Sequence, residues 1–134
     1  MQDIRDRMCF ACGEDNPISL GLEFTSPEDN VVEAKFTVGE EHQGYERVMH
    51  GGLISTLLDE AMAKVITFNK ERAFTAEMKV RFKRPVQIGS EVLVRGILQR
   101  SCGRLFITGA ELKDAEGKLL ARAEGKFMRV KKDT

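Results

Sequence analysis

Apolar residues between positions 52 and 68 recur every three to four residues, the spacing of an α-helix with one buried face. On the opposite side of this predicted helix we expect Glu60 and Lys64 to face solvent as an i,i+4 ion pair. Asp59 lies at the edge of the apolar face. The apolar positions are Leu53, Ile54, Leu57, Leu58, Ala61, Met62, Val65 and Phe68.

Alternation at every second position predicts two strands before the helix and four after it. Along the first strand after the helix, this period places Phe74 and Met78 on one face and Thr75 and Glu77 on the other. The connections between the last four strands are short, so we expect an antiparallel meander. The predicted strands are residues 20–25, 31–38, 74–83, 91–99, 105–112 and 119–130.

The apolar face covers more than half of the helix circumference, which is wider than a flat sheet can bury. These elements predict an α+β protein with the hotdog fold, in which a curved antiparallel sheet of about six strands wraps around one long central helix. We expect one domain over residues 1–134, with an N-terminal lead over 1–19 and a frayed tail over 131–134. Such a sheet leaves an edge strand unpaired, which favours a homodimer or a dimer of dimers.

Composition narrows the class of partner. Lys plus Arg and Asp plus Glu are equal at 21 each, so the net charge of zero favours neither nucleic acid nor an anionic membrane surface. No apolar run approaches the roughly 20 residues that span a bilayer. The charged N-terminus has no apolar segment typical of a signal peptide, so we expect a cytoplasmic protein with reduced thiols.

Cys9 and Cys12 have the spacing of half a structural zinc site. The remaining candidate ligands, Cys102, His42 and His50, do not form a second closely spaced pair. We therefore favour a structural role for the two cysteines in an N-terminal turn, with metal binding and redox chemistry as the alternatives, and we expect no metal and no cofactor.

The start of the predicted helix carries the candidate chemistry. His50-Gly51-Gly52 brings unpaired backbone N–H groups and a partial positive charge to a position that a ligand can approach closely. Such groups can stabilise the oxyanion of an acyl-transfer reaction, with Asp59 as general base or nucleophile. Nine residues of helix separate His50 from Asp59 by about 13 Å. The two therefore cannot act on one carbonyl from the same chain, and we expect each active site to be shared between two subunits. By position alone, Asp59 could also be a solvated charge at the helix border.

The sequence resembles the PaaI-like acyl-CoA thioesterases of the hotdog superfamily. The resemblance extends from Cys9 to about Val130. Its matching segments are Cys9-Phe10-Ala11-Cys12-Gly13 with Asn16-Pro17, His42-Gln43-Gly44, His50-Gly51-Gly52 with Asp59, and Val80-Arg81-Phe82-Lys83-Arg84-Pro85-Val86 with Gly89.

The resemblance implies an acyl-CoA thioester hydrolase that uses no metal. It implies Asp59 as the catalytic carboxylate and the Gly51 N–H as the group that polarises the carbonyl. His50 would position the loop, and Thr75 would orient the water or the carboxylate.

Three further residues are candidates for substrate binding. These are Gly52, Gln43 and Arg84, the last as one of several cations that could hold the phosphates of coenzyme A. Some relatives carry an Asn or Gln six residues before the histidine. That place is Gly44 here, with Gln43 beside it.

Three other functions are alternatives to thioester hydrolysis. A hotdog dehydratase acting on 3-hydroxyacyl thioesters would carry a His-Phe-Pro-Gly type of loop, which this chain lacks. A non-catalytic acyl-CoA sensor would lack the acid at the place of Asp59. A purely structural dimer module would leave Asp59 and the adjoining glycines unexplained.

Overall fold

The computed structural model describes residues 3–131, which form one α-helix, six strands and two short 3₁₀ turns. In chain order the elements are a 3₁₀ turn at Ile4–Asp6, β1 Thr25–Glu28, β2 Val31–Thr37, a 3₁₀ turn at Glu40–His42, α1 Gly51–Thr67, β3 Ala73–Phe82, β4 Glu91–Cys102, β5 Leu105–Asp114 and β6 Leu119–Arg129.

The six strands form one antiparallel sheet in the order β1-β2-β4-β5-β6-β3. The predicted four-strand meander is therefore wrong for β3, which pairs with β6 at the edge, while β4 pairs with β2 in the middle of the sheet. The connection from β3 to β4 explains the difference. It runs beside the loop before α1, where the Met49 N–H donates to the Val86 carbonyl (2.8 Å) and Val48 pairs with Gln87. This route leads the chain from the sheet edge to the strand beside β2.

Helix α1 packs against the sheet through a face that includes Leu57, Leu58 and Met62, all completely buried. The closest approach is at Gly96 of β4, where an added Cβ would lie 2.3 Å from the Ala61 carbonyl oxygen. A residue without a side chain is needed there for the helix to contact the sheet. No helix within residues 3–131 is long and apolar enough to cross a bilayer.

Two details of the predicted elements are wrong. Phe68, placed on the apolar face, caps the end of α1 and is 46% exposed, while Ile66 is buried in its stead. The first strand lies at Thr25–Glu28 rather than at residues 20–25. The cause is the N-terminal segment, since the Leu22 N–H donates to the Ala11 carbonyl and not to the sheet.

The two ends of the chain lie partly outside the described residues. Positions 1 and 2 of the predicted lead and positions 132–134 of the predicted frayed tail are not described. The first regular element of the described chain is the 3₁₀ turn at Ile4–Asp6.

Candidate active site

The N-terminus of α1 is organised by His50, which is its N-cap residue. The His50 Nδ1 accepts a hydrogen bond from the Gly52 N–H (2.8 Å), and the His50 carbonyl accepts from the Leu53 N–H (3.0 Å). The Gly52 N–H is therefore occupied. Within residues 3–131, no acceptor lies at hydrogen-bonding distance from the Gly51 N–H. Of the two glycines, Gly51 has the backbone donor that can receive a ligand.

The carboxylate of Asp59 lies two turns further along α1 and is half-buried. The Thr75 hydroxyl, on the edge strand β3, donates to the Asp59 Oδ1 at 2.7 Å. Among the residues described, no donor contacts the second oxygen, Oδ2. One carboxylate oxygen is thus fixed by the protein, and the other can accept a proton or attack a carbonyl.

A β-bulge at Ala76 makes this contact possible. Thr75 pairs with Phe127, whereas Glu77 pairs with Lys126, so Ala76 is an extra residue in β3. The bulge turns Thr75 toward the helix, on the face that continues through Met78 and not through Glu77. Strict alternation had placed Thr75 on the opposite face, so that prediction is wrong.

The same bulge reverses the face on which Phe74 lies. The alternation placed Phe74 on the same face as Met78, and that prediction is wrong. Phe74 pairs with Met128, lies on the outer face and is 57% exposed. No residue type in the segment marks the bulge, because the alternation of apolar and polar residues continues through Ala76.

Gln43 and Gly44 shape the loop before the helix. The Gln43 side-chain amide donates to the Glu40 carbonyl (2.9 Å) and accepts from the Arg47 N–H (2.7 Å), so both of its ends hold the loop. At Gly44 an added Cβ would lie 3.1 Å from the His50 Cα. The loop packs against His50 at a place with little room for a side chain.

Arg84 lies just after β3, and its hydrogen bond goes to β6 and not to His50, Gly51 or Asp59. Its Nη1 donates to the Leu119 carbonyl at 2.7 Å, which fixes the guanidinium at the start of β6. The residue is otherwise exposed. Its charge therefore remains accessible to an anionic ligand at this end of the sheet.

A second polar cluster joins the N-terminal segment to the side of α1 that we expected to face solvent. The Cys9 Sγ donates to the Glu60 Oε2 at 3.5 Å, and Cys12 completes the group. Burial, with a hydrogen bond and charge from Glu60, raises the pKa of the Cys12 thiol. The prediction of Glu60 as a surface ion-pair residue missed this contact, because the sequence does not show which segment covers that side of the helix.

A family model and several curated relatives that match this chain are all described as thioesterases. A family model described as "Thioesterase superfamily" matches residues 46–121. The chain is 27% identical over 118 residues to rat acyl-coenzyme A thioesterase THEM4, with 85% of this chain and 51% of the relative covered. It is 28% identical over 106 residues to human acyl-coenzyme A thioesterase 13, with 77% and 74% covered. The chain thus spans about half the length of rat THEM4.

Solved structures confirm the fold. A thioesterase superfamily protein superimposes with a TM-score of 0.86 at 24% identity, covering 91% of this chain and 60% of that one. The Escherichia coli PaaI protein gives 0.78 at 20% identity, covering 84% and 81%. A Streptococcus mutans protein, solved bound to acetyl-CoA, gives 0.78 at 18% identity, covering 84% and 91%. At these identities the likeness establishes the shared fold, the predicted hotdog arrangement.

Proposed function

The chain belongs to the thioesterase superfamily, and we propose that it is an acyl-CoA thioesterase, which converts an acyl-CoA thioester and water into free coenzyme A and a carboxylic acid. The names of the rat and human relatives support this activity, and so does the acetyl-CoA bound to the streptococcal structure. The observation that carries the proposal is the hydrogen bond from Thr75 to Asp59.

In the proposed reaction, the Gly51 N–H donates to the carbonyl oxygen of the thioester. Negative charge grows on that oxygen in the transition state, so the hydrogen bond strengthens as the reaction proceeds. Asp59 accepts a proton from the attacking water, the carbon–sulfur bond breaks, and the thiolate of coenzyme A leaves and is protonated. Alternatively, Asp59 attacks the carbonyl carbon directly, the carbon–sulfur bond breaks, and the thiolate of coenzyme A leaves and is protonated; water then hydrolyses the resulting anhydride to the carboxylic acid and free Asp59.

Thr75 is a positioning residue in this scheme, and His50 is another. The Thr75 hydroxyl holds Oδ1 of Asp59, which directs Oδ2 toward the reacting carbonyl. His50 occupies the Gly52 N–H and caps the helix, which orients the neighbouring Gly51 N–H.

The proposed active site takes Gly51 from one protomer and Asp59 from its partner. Asp59 follows Gly51 by eight positions in the helix, a rise of about 12 Å along the axis, which is too far for both to contact one carbonyl. The edge strand β3 supports a dimer through its unpaired side, next to which the large side chains of Phe74 and Phe82 are 57% and 55% exposed.

A panel of acyl-CoA thioesters with short, medium and aryl acyl groups tests the activity, with thiol release as the readout. We expect hydrolysis of at least one member, and a fall in kcat of about 10²- to 10⁴-fold in Asp59→Asn. Asp29→Asn is the matched control, because Asp29 is an exposed residue of the β1–β2 turn.

Two results would refute the proposal: no thiol release from any thioester, or an Asp59→Asn variant with unchanged turnover. Hydration of an enoyl-CoA without thiol release would instead identify a dehydratase. Binding of acyl-CoA without any turnover would identify a sensor.

A further inference from the structure

Three metal-ligating atoms converge at the junction of the N-terminal segment and α1. The sulfurs of Cys9 and Cys12 and a carboxylate oxygen of Glu60 all lie within 4.8 Å of one another. Within residues 3–131, this is the one group of three His, Cys, Asp or Glu side chains that meets this distance. We propose that Cys9, Cys12 and Glu60 bind a thiophilic divalent cation, with Zn²⁺ as the best fit, and so fasten the N-terminal segment to the central helix.

The distances suit a tetrahedral ion after small side-chain rotations. Two sulfurs that are each 2.3 Å from zinc lie about 3.8 Å apart in a tetrahedral site, and a sulfur and a carboxylate oxygen lie slightly closer. The Cys9 sulfur and the Glu60 oxygen are already 3.5 Å apart. Because all three atoms lie within 4.8 Å of one another, no pair exceeds the separation that a shared zinc ion requires by more than about 1.3 Å.

The backbone holds the two cysteines in place without a metal. The Gly13 N–H donates to the Cys9 carbonyl at 2.7 Å and closes the turn between the cysteines. An added Cβ at Gly13 would lie 2.5 Å from the carbonyl oxygens of Arg7 and Cys9, so the turn is tightly packed. Glu60 is fixed by its place in the middle of α1. Ligands on ordered elements lower the cost of organising a site.

The segment is also tied to the rest of the fold by an ion pair. Arg72, just before β3, donates to both carboxylate oxygens of Asp6 at 2.8 and 3.0 Å. This contact ties the N-terminal segment to the connection between α1 and β3 without involving the cysteines. The three ligands therefore remain close together in the absence of a cation.

The charges of the cluster balance when a divalent cation binds. Zn²⁺ with two thiolates and one carboxylate carries a net charge of −1, and Lys64, one turn after Glu60 and half-buried, supplies +1. Binding replaces the two thiol protons, which pass to solvent, so the net charge of the cluster does not change. Cation binding therefore leaves no unbalanced buried charge, which would oppose it.

The site has a route to solvent and room for a fourth ligand. A cavity of about 310 Å³ adjoins the cluster and is lined by the three ligands together with Ala63 and Thr67, among others. Three protein ligands and an accessible fourth position can be completed by water. The sequence shows the Cys9 and Cys12 half of such a site, with metal binding as an alternative, but gives no sign of a third ligand near it. The third ligand is instead a carboxylate on a distant helix.

Titration of the reduced, metal-free protein with Co²⁺ under anaerobic conditions tests the proposal. We expect one equivalent of Co²⁺ to produce thiolate-to-cobalt charge-transfer absorption and the visible bands of a tetrahedral ion, and Zn²⁺ to displace it. Cys9→Ser and Cys12→Ser should abolish the charge-transfer band of the stoichiometric complex or weaken binding by at least about 100-fold, and Glu60→Gln should weaken it by at least about 10-fold. Cys102→Ser is the control, because Cys102 is exposed at the end of β4 and should leave binding unchanged.

The wild-type spectrum and Glu60→Gln decide the matter even if a cysteine variant does not fold. Absence of the charge-transfer band in the reduced wild type would overturn the proposal. Equal affinity of wild type and Glu60→Gln would overturn it too. The readout is independent of thioester hydrolysis, so failure of the metal site would leave the proposed activity in place.

Discussion

Replacing Gly51 by proline removes one backbone N–H from the start of α1 and changes little else. Gly51 is the first residue of the helix, a position at which proline is common because its missing N–H has no partner within the helix. The preceding residue, His50, has φ −61° and ψ 132°, the extended conformation that a following proline requires. An added Cβ would meet only the Phe82 ring, at 3.6 Å, which is ordinary van der Waals contact. We therefore expect Gly51→Pro to fold.

The magnitude follows from the proposed role of that N–H. Removing one oxyanion donor costs about 2.7–4 kcal/mol of transition-state stabilisation, or about 10²- to 10³-fold in kcat. Gly51 is half-buried in a single copy of the chain, so water weakens the interaction to some degree. We take the lower end and expect kcat to fall about 100-fold. Because the hydrogen bond strengthens only as charge develops, KM should change little.

Steady-state kinetics on the best substrate of the acyl-CoA panel measures this effect, with melting temperature as a check on folding. Gly51→Ala is the matched control, since it keeps the N–H and adds the same Cβ. Its kcat should lie well above that of Gly51→Pro, because only the proline variant lacks the donor. A Gly51→Pro variant that folds and keeps the kcat of Gly51→Ala would refute the assignment of this N–H as the oxyanion donor.

Two further predictions concern Thr75 and the ion pair of the N-terminal segment. Thr75→Val loses a hydrogen bond to a carboxylate, worth about 1.5–3 kcal/mol, so kcat should fall about 10- to 100-fold with KM nearly unchanged. Thr75→Ser keeps the hydroxyl and should retain most of the wild-type kcat. Equal kinetics for the valine and serine variants would contradict a positioning role. The side-chain hydrogen bond from Arg72 lowers the pKa of Asp6 in the folded protein. The ion pair therefore stabilises the fold fully above the pKa of an unfolded Asp, about 4, and this stabilisation is lost as the pH falls through the lower pKa of Asp6 in the folded state. In urea titrations the free energy of unfolding of Arg72→Met should therefore lie below that of wild type at pH 7, and the difference should shrink at pH 3; a constant difference would exclude this linkage.

Much of the fold was predictable because its signals are local and periodic. The helix, its buried face and five of the six strands follow from the spacing of apolar residues. The position of β3 was not predictable in the same way, because a connection of eight residues between β3 and β4 gives no sign that the chain crosses to the middle of the sheet. Hydrogen bonds between that connection and the loop before α1 decide the route.

Some residues of the candidate site were likewise predictable from local sequence, and others depend on how distant segments pack. Gly51 and Asp59 could be proposed from the chemistry of a helix start and an acid at the edge of an apolar face. The side of the sheet on which Thr75 lies depends on the bulge at Ala76, which interrupts an alternation that the residue types continue. The third ligand of the cysteine cluster, Glu60, depends on where the N-terminal segment packs, and no local pattern encodes that contact.

We propose that each active site combines Gly51 of one protomer with Asp59 of its partner. Co-expression of Gly51→Pro and Asp59→Asn chains, each with its own affinity tag, tests it directly. At equal amounts, about half of the dimers contain one chain of each kind, and each of these has one intact site out of two. We expect recovery of about one quarter of wild-type activity in the mixture, and about half in the purified mixed dimer. Activity in the mixed dimer no higher than the average of the two parent variants would show that both groups act from the same chain, and would contradict it.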